Sequence, residues 1–188
     1  GFVFELLAPL DERRNLEEYK KATINAQFAQ LVETGRGGEN TNSSLLVVRD
    51  TSGSMTATAN GCNVSSFNIA KSMALYFSEF LTGTFAGTFA EFSHGCKLHK
   101  WKGDTPVDKY LNDHCGSYAD TNFQSVIDMF IKIKEEGVPE EDFPSGILCI
   151  SDGEFNRCGT NKLTNFQLAI KKLRSAGFSE NYVSNFKI

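Results

Sequence analysis

The chain has 188 residues, enough for one domain with a packed interior, and its 40% hydrophobic content with 16 phenylalanines supports such a core. The formal net charge of −4 is spread along the sequence and no basic run exceeds Lys171-Lys172, which argues against broad binding to a phosphate backbone. No apolar stretch approaches the roughly 18 residues that a membrane-spanning helix needs.

Residues 1–40 read as a helical N-terminal arm with a linker. Apolar Phe2-Val3-Phe4 and Leu6-Leu7 give way to Pro9 and a charged run from Asp11 to Arg14. Between Leu16 and Val32, Tyr19, Ile24, Phe28 and Leu31 recur close to one helical face, and Gly35-Arg36-Gly37-Gly38 is expected to stop that helix. Glu39 to Ser44 is polar. The arm's apolar stripe is expected to pack on the body, residues 41–188.

Leu45 to Val48 is an apolar run of the kind a buried parallel strand shows. After a loop poor in apolar residues, Ser65 or Ser66 can cap a helix whose inward face is Ile69, Met73, Tyr76, Phe77 and Phe80. Thr88 to Phe92 alternates as a strand, His94-Gly95 suits a tight turn with positive φ, and Leu98 to Trp101 reads as the returning strand. The next helix runs from Asn122 to about Glu136, with Phe123, Val126, Ile127 and Phe130 on one face and Gly137 as its stop. Glu135, Glu136, Glu140, Glu141 and Asp142 read as solvated charges, since the calcium-loop pattern is absent. Gly146 to Ile150 is a second apolar strand. A helix from Leu163 to Ala176 turns Phe166, Ala169, Ile170 and Leu173 inward, and Tyr182 to Ile188 reads as a further strand. This alternation predicts an α/β fold: a doubly wound, mostly parallel sheet covered on both faces, with one antiparallel edge strand.

The chemistry concentrates where strands end. Asp50-Thr51-Ser52-Gly53-Ser54 follows the first apolar run at once, at the carboxyl end of a strand where ligands of such sheets bind. One carboxylate and two hydroxyls there are hard oxygen donors suited to a Mg²⁺-like ion. Asp152 stands at the end of the second run as Asp50 does at the end of the first. Thr121, before a helix, can cap that helix or offer its hydroxyl. Each piece also has a plain reading: a strand-to-helix turn around Gly53, an N-cap at Thr121, and a turn at Asp152-Gly153.

In this order along the chain, the three segments resemble the metal-ion-dependent adhesion site (MIDAS) of von Willebrand factor A (vWA) domains, over roughly Leu45 to Ile188. The resemblance implies that Asp50, Ser52, Ser54, Thr121 and Asp152 bind a metal directly or through water. The ion is expected to be Mg²⁺ or Mn²⁺, with Ca²⁺ disfavoured. Asp50-Thr51-Ser52-Gly53-Ser54-Met55, Phe92-Ser93, Thr121-Asn122-Phe123-Gln124 and Ser151-Asp152-Gly153-Glu154-Phe155 are similar to the Ro-like (TROVE-type) intracellular branch, and to prokaryotic and phage-associated proteins in which a vWA domain follows a helical region. Two positions depart from that pattern. Tyr118-Ala119-Asp120 replaces a glycine-rich approach to Thr121, so that Asp120 could join the site. Arg49 stands where an apolar residue would fit the strand, and is expected to pair with an acidic neighbour. Against the family pattern the chain stops before a final strand and helices.

By resemblance the site is that of a protein-interaction module and not an enzyme, with an acidic side chain of a partner completing the metal's shell. The alternatives are a component of a Ro-like RNA–protein particle, with RNA held through an upstream helical region, and a metal-assisted phosphoester hydrolase. The hydrolase lacks a His near the cluster in sequence. The five cysteines, at 62, 96, 115, 149 and 158, lack framework spacing, which points to a reduced, cytoplasmic setting. His94, Cys96, His99, His114 and Cys115 could be imagined as a zinc cluster, but no Cys-x-x-Cys pair occurs, and on one strand Cys96 and His99 would face opposite ways.

Overall fold

A computed structural model describes residues 2–12, 15–38, 44–51, 53–56, 64–92, 95–113, 122–151 and 164–188. Four strands, β1 (Leu45–Arg49), β2 (Thr88–Phe92), β3 (Cys96–Lys100) and β4 (Gly146–Ile150), form one sheet in the order β3-β2-β1-β4. β1 pairs in parallel with β2 and β4, and β2 pairs antiparallel with β3. The expected mixed α/β sheet with an antiparallel edge strand is therefore present. At the β2–β3 turn Gly95 has φ 127°, in the region that favours glycine.

Helices cover both faces. On one side α6 (Phe123–Glu135), α7 (Asn165–Ser175) and α8 (Glu180–Asn185) enclose a core with Leu46, Val48, Ala90, Phe92 and Ile147. The predicted face of α6 is the buried one: Phe123, Val126, Ile127 and Phe130 all lie inside. On the other side α4 (Ser66–Ser78), α5 (Pro106–Leu111) and the arm helices α1 (Val3–Leu7), α2 (Pro9–Glu12) and α3 (Glu18–Gly37) form a second core with Val47 and Phe89. Cover on both faces explains why every residue of β2 is buried, although its sequence alternates.

The α3 helix ends at Gly37 with Gly38 as its C-cap, inside the expected stop Gly35-Arg36-Gly37-Gly38, while Gly35 is also a close-approach point where an added Cβ would collide with the Tyr76 hydroxyl. Several local expectations yield to packing. Tyr19 is 66% exposed and Phe166 is 46% exposed, whereas Ile24, Phe28, Ala169 and Leu173 on the same predicted faces are buried. On α4 the small residues Ala70, Ser72 and Ala74 join Leu75 as the most deeply buried, while Ile69, Met73, Tyr76 and Phe77 are half-buried. The helix lies between the sheet and the arm, so it has no single inward face.

Residues Glu180–Asn185 form a helix, not a strand, with the Ser179 hydroxyl accepting from the Tyr182 N–H at 3.2 Å. The chain becomes extended only afterwards, where Lys187 bridges Gly146 in parallel. Two of the acidic residues read as solvated are structural acceptors. Glu140 accepts from the Ser179 N–H and hydroxyl at 2.5 and 2.7 Å, and Asp142 accepts from the Thr84 N–H and hydroxyl at 3.1 and 3.2 Å. Among the described residues no helix is long and apolar enough to cross a membrane.

Candidate metal centre

Strand order places the site. The chain leaves β1, crosses one face through α4 to β2, then returns across the other face through α6 to β4 on the opposite side of β1. The carboxyl ends of β1 and β4 therefore flank the crevice where the winding direction changes, the position at which such sheets bind ligands. Five register pairs, from Leu45↔Gly146 to Arg49↔Ile150, hold the two strands level. The next residues on each, Asp50 and Ser151, consequently meet.

The contact is direct. The Asp50 N–H donates to the Ile150 carbonyl at 3.1 Å, and the Ser151 hydroxyl donates to Asp50 Oδ2 at 2.7 Å. Asp50 is only 1% exposed. Beyond it, Gly53–Thr56 forms a 3-10 turn with Met55 buried beneath and Ser54 exposed. Of the five residues assigned to a metal, Asp50 and Ser54 belong to this corner, and Ser52, Thr121 and Asp152 lie outside the described residues, as does Asp120. The capping role considered for Thr121 is filled by its neighbour: Asn122 Oδ1 accepts from the Gln124 N–H at 3.0 Å. Ser151 is not among the five residues assigned to the metal; the sequence shows it only as the polar residue that follows an apolar strand, and its pairing with Asp50 comes from the register.

Arg49, one residue before Asp50, points into the arm-side core and is fully buried. It meets two carboxylates that are each 2% exposed, pairing closely with Glu91 on β2 and at 2.8 Å with Asp113. Its guanidinium carbon lies 4.3 Å from the centre of the Phe89 ring, and its Nε has no hydrogen-bond partner among the described residues. Burial acts to lower its pKa, but Asp113 and Glu91 outweigh burial and the net direction is upward. Lys71 lies 4.0 Å from Asp113 and 3.8 Å from the centre of the Tyr110 ring; burial holds its ammonium below the usual lysine range against the pull of Asp113 and Asp11. Tyr110 donates to Asp11 Oδ1 at 2.9 Å, which carries the network into the arm. The acidic partner expected for Arg49 is thus two carboxylates, and Asp113 was not foreseen.

Cys149, beside the site on β4, has its thiol pushed up to about 12, first by burial and then by the Asp50 carboxylate. Burial likewise raises Cys96 on β3 to about 12. Because the thiolate is the reactive form, both should alkylate about a thousandfold more slowly in the folded chain than in the unfolded chain near pH 8. Iodoacetamide labelling followed by peptide mass spectrometry, with and without urea, checks this. Labelling of either thiol at the unfolded rate would contradict its placement.

Cys96 packs on the α6-side core while His99 stacks on Phe89 at 5.4 Å, so the two face opposite sides of β3 and cannot share a metal. His94, His114 and Cys115 lie outside the described residues. Among the described residues no three His, Cys, Asp or Glu side chains are grouped as a metal cage. The oxygen site expected from the sequence differs in kind, since most of its donors are Ser and Thr hydroxyls. What Asp50, Ser151 and Ser54 offer is hard oxygen, suited to a small divalent cation.

Neither a curated protein nor a solved structure matches the chain. One family model matches residues 44–183, that of a domain of unknown function, DUF7788. From the first sheet strand to the last helix, the chain belongs to the DUF7788 family.

Proposed function

We propose that the chain carries a vWA-type domain acting as a divalent-metal-dependent protein-interaction module, in which a partner's carboxylate completes the shell of a Mg²⁺ or Mn²⁺ ion. The reading is supported above all by the meeting of Asp50 and Ser151 at the carboxyl ends of adjacent parallel strands, where the winding direction changes. Asp50 and Ser54 would hold the ion from the first loop, with Ser52, Thr121 and Asp152 as further donors. When bound, the ion supplies a Lewis-acidic position that an external carboxylate can fill.

The chain's own residues set how strongly that position attracts an anion. Three hydroxyl donors add no charge, so the two aspartates carry the protein's neutralisation of a divalent ion, and an anionic partner adds to it. The Ser151 hydroxyl, donating to Asp50 Oδ2 at 2.7 Å, orients that carboxylate. Arg49 adds no uncompensated charge beneath the site, since Glu91 and Asp113 surround it.

Thermal melts in EDTA, Mg²⁺, Mn²⁺ and Ca²⁺ test the reading. A ligand that binds only the folded chain stabilises by about 2.7 kcal/mol at a hundredfold excess over Kd. The expected result is a Mg²⁺ and Mn²⁺ shift in the wild type that disappears in Asp50→Ala and weakens in Ser54→Ala. A wild type indifferent to all three cations would overturn the metal reading. Hydrolysis of a simple phosphodiester that Asp50→Ala abolishes would replace a binding role with an enzymatic one.

A further inference from the structure

The outer edge of β3 combines three properties that the metal site does not use. First, it is unpaired: β3 ends the strand order, and no described segment lies beyond it. The Trp101 N–H donates to the Gly87 carbonyl at 3.0 Å. In an antiparallel ladder the bonded pairs alternate, so Phe89↔His99 and Glu91↔Lys97 exchange backbone bonds. Cys96, Leu98 and Lys100 therefore turn their N–H and C=O groups outward.

Second, a hollow flanks the edge on each face of the sheet. One, of about 630 Å³, lies towards α6 and is lined by Cys96, Leu98, Met129, Ile133 and Val138 among others. The other, of about 390 Å³, is lined by Phe89, His99, Trp101, Lys109 and Asn112 among others. Successive side chains of an extended strand point to opposite faces. A peptide hydrogen-bonded to β3 would therefore set alternate side chains over the two hollows.

Third, the edge is basic. Lys97, Lys100 and Lys102 are exposed and form no ion pair among the described residues. Of the acids that line the hollows, Asp128 pairs with Lys172 at 2.7 Å and Asp113 with Arg49 at 2.8 Å, while Glu136 is offset by Lys132 in the same lining. Lysines on an edge strand disfavour pairing with a second copy, because two such strands would set like charges opposite each other. They favour an acidic strand.

We propose that β3 is a docking edge for an extended acidic segment of a partner protein, which joins the sheet as an additional strand through backbone hydrogen bonds. This surface is independent of the metal site and should work in EDTA.

The test uses the whole chain in EDTA and a fluorescently labelled, end-blocked peptide of alternating glutamate and valine, read by anisotropy. Saturable binding is expected, weakened by about tenfold or more when the same peptide is N-methylated throughout, since the backbone bonds are then blocked. The double variant Lys97→Glu/Lys100→Glu changes only exposed side chains; it should lose the acidic peptide and accept a lysine–valine counterpart. No saturable binding overturns the proposal. So does binding that N-methylation leaves unchanged, which would reduce the surface to a diffuse charge effect, and so does indifference to the charge reversal. A failed metal titration leaves each of these outcomes unaffected.

Discussion

Replacing Arg49 with methionine should lower the folding free energy by about 3–5 kcal/mol in urea titrations, a large share of the roughly 5–15 kcal/mol that a domain possesses. The reason is not that the ion pairs themselves supply that much. Taking a guanidinium and two carboxylates out of water is unfavourable, and their mutual attraction offsets the loss only while all three are present. Without Arg49, Glu91 and Asp113 would remain almost fully buried with their principal counter-charge gone. His99 Nε2 is 3.8 Å from Glu91 and Lys71 is 4.0 Å from Asp113, longer contacts than the one Arg49 makes with Asp113 at 2.8 Å. The same argument predicts that Arg49→Met/Glu91→Leu/Asp113→Leu recovers part of the lost stability, because the buried triad is then gone, although Lys71 loses Asp113 as its partner. A single Arg49→Met variant as stable as wild type would show that the carboxylates can be satisfied otherwise.

Phe28→Ala should cost about 3–5 kcal/mol, the range for emptying a buried aromatic site, although Phe28 lies outside the family-matched residues 44–183. Phe28 is 1% exposed and meets Tyr76 edge-on at 6.4 Å. With Val3, Leu7, Leu10, Leu16, Ile24 and Val32 it shares a core with Val47, Ala74, Leu75 and Phe89. Polar contacts tie the same surfaces together. The Asn25 side-chain carbonyl accepts from the Val107 N–H at 3.0 Å at the start of α5, and Asp11 accepts from Tyr110. Residues 44–188 expressed alone should therefore lose the cooperative melt of the whole chain and bind an apolar dye. A sharp melt of the shorter chain at an unchanged temperature would mean that the arm is an accessory and that α4 tolerates solvent on its outer side.

The two cores also show where reading the sequence succeeds. Apolar runs at 45–48 and 146–150 and the alternation at 88–92 were sufficient to find β1, β4 and β2, because a strand's own residues carry that signal. The face of α6 was legible for the same reason: Phe123, Val126, Ile127 and Phe130 form one stripe and all enter one core, where Phe130 meets Phe85, Phe143 and Phe186. The helix α5 went unrecognised because it is only Pro106–Leu111, too short for periodicity to register, although Thr105 caps it and Pro106 opens it. Phe166 and Tyr19 share helix faces with buried residues and remain exposed, since no described residue covers them. The stop at Gly35-Arg36-Gly37-Gly38 was legible as well, since α3 ends at Gly37 with Gly38 as its C-cap, but the close approach of Tyr76 and Phe80 to Gly35 was not.

By itself the sequence determined the α/β class, the antiparallel edge strand and a group of oxygen donors at strand ends, all of which depend on residues close together in the chain. Only the tertiary structure decided which strand ends are neighbours. Asp50 and Ser151 are 101 positions apart, and only the parallel register of β1 with β4 makes them hydrogen-bond partners. Arg49 and Asp113 are 64 positions apart, so the sequence could show that the buried arginine required a carboxylate but not which one. Local patterns record which surfaces a segment must bury and which charges must be answered. The strand order and the packing of the arm decide what covers those surfaces and what answers those charges.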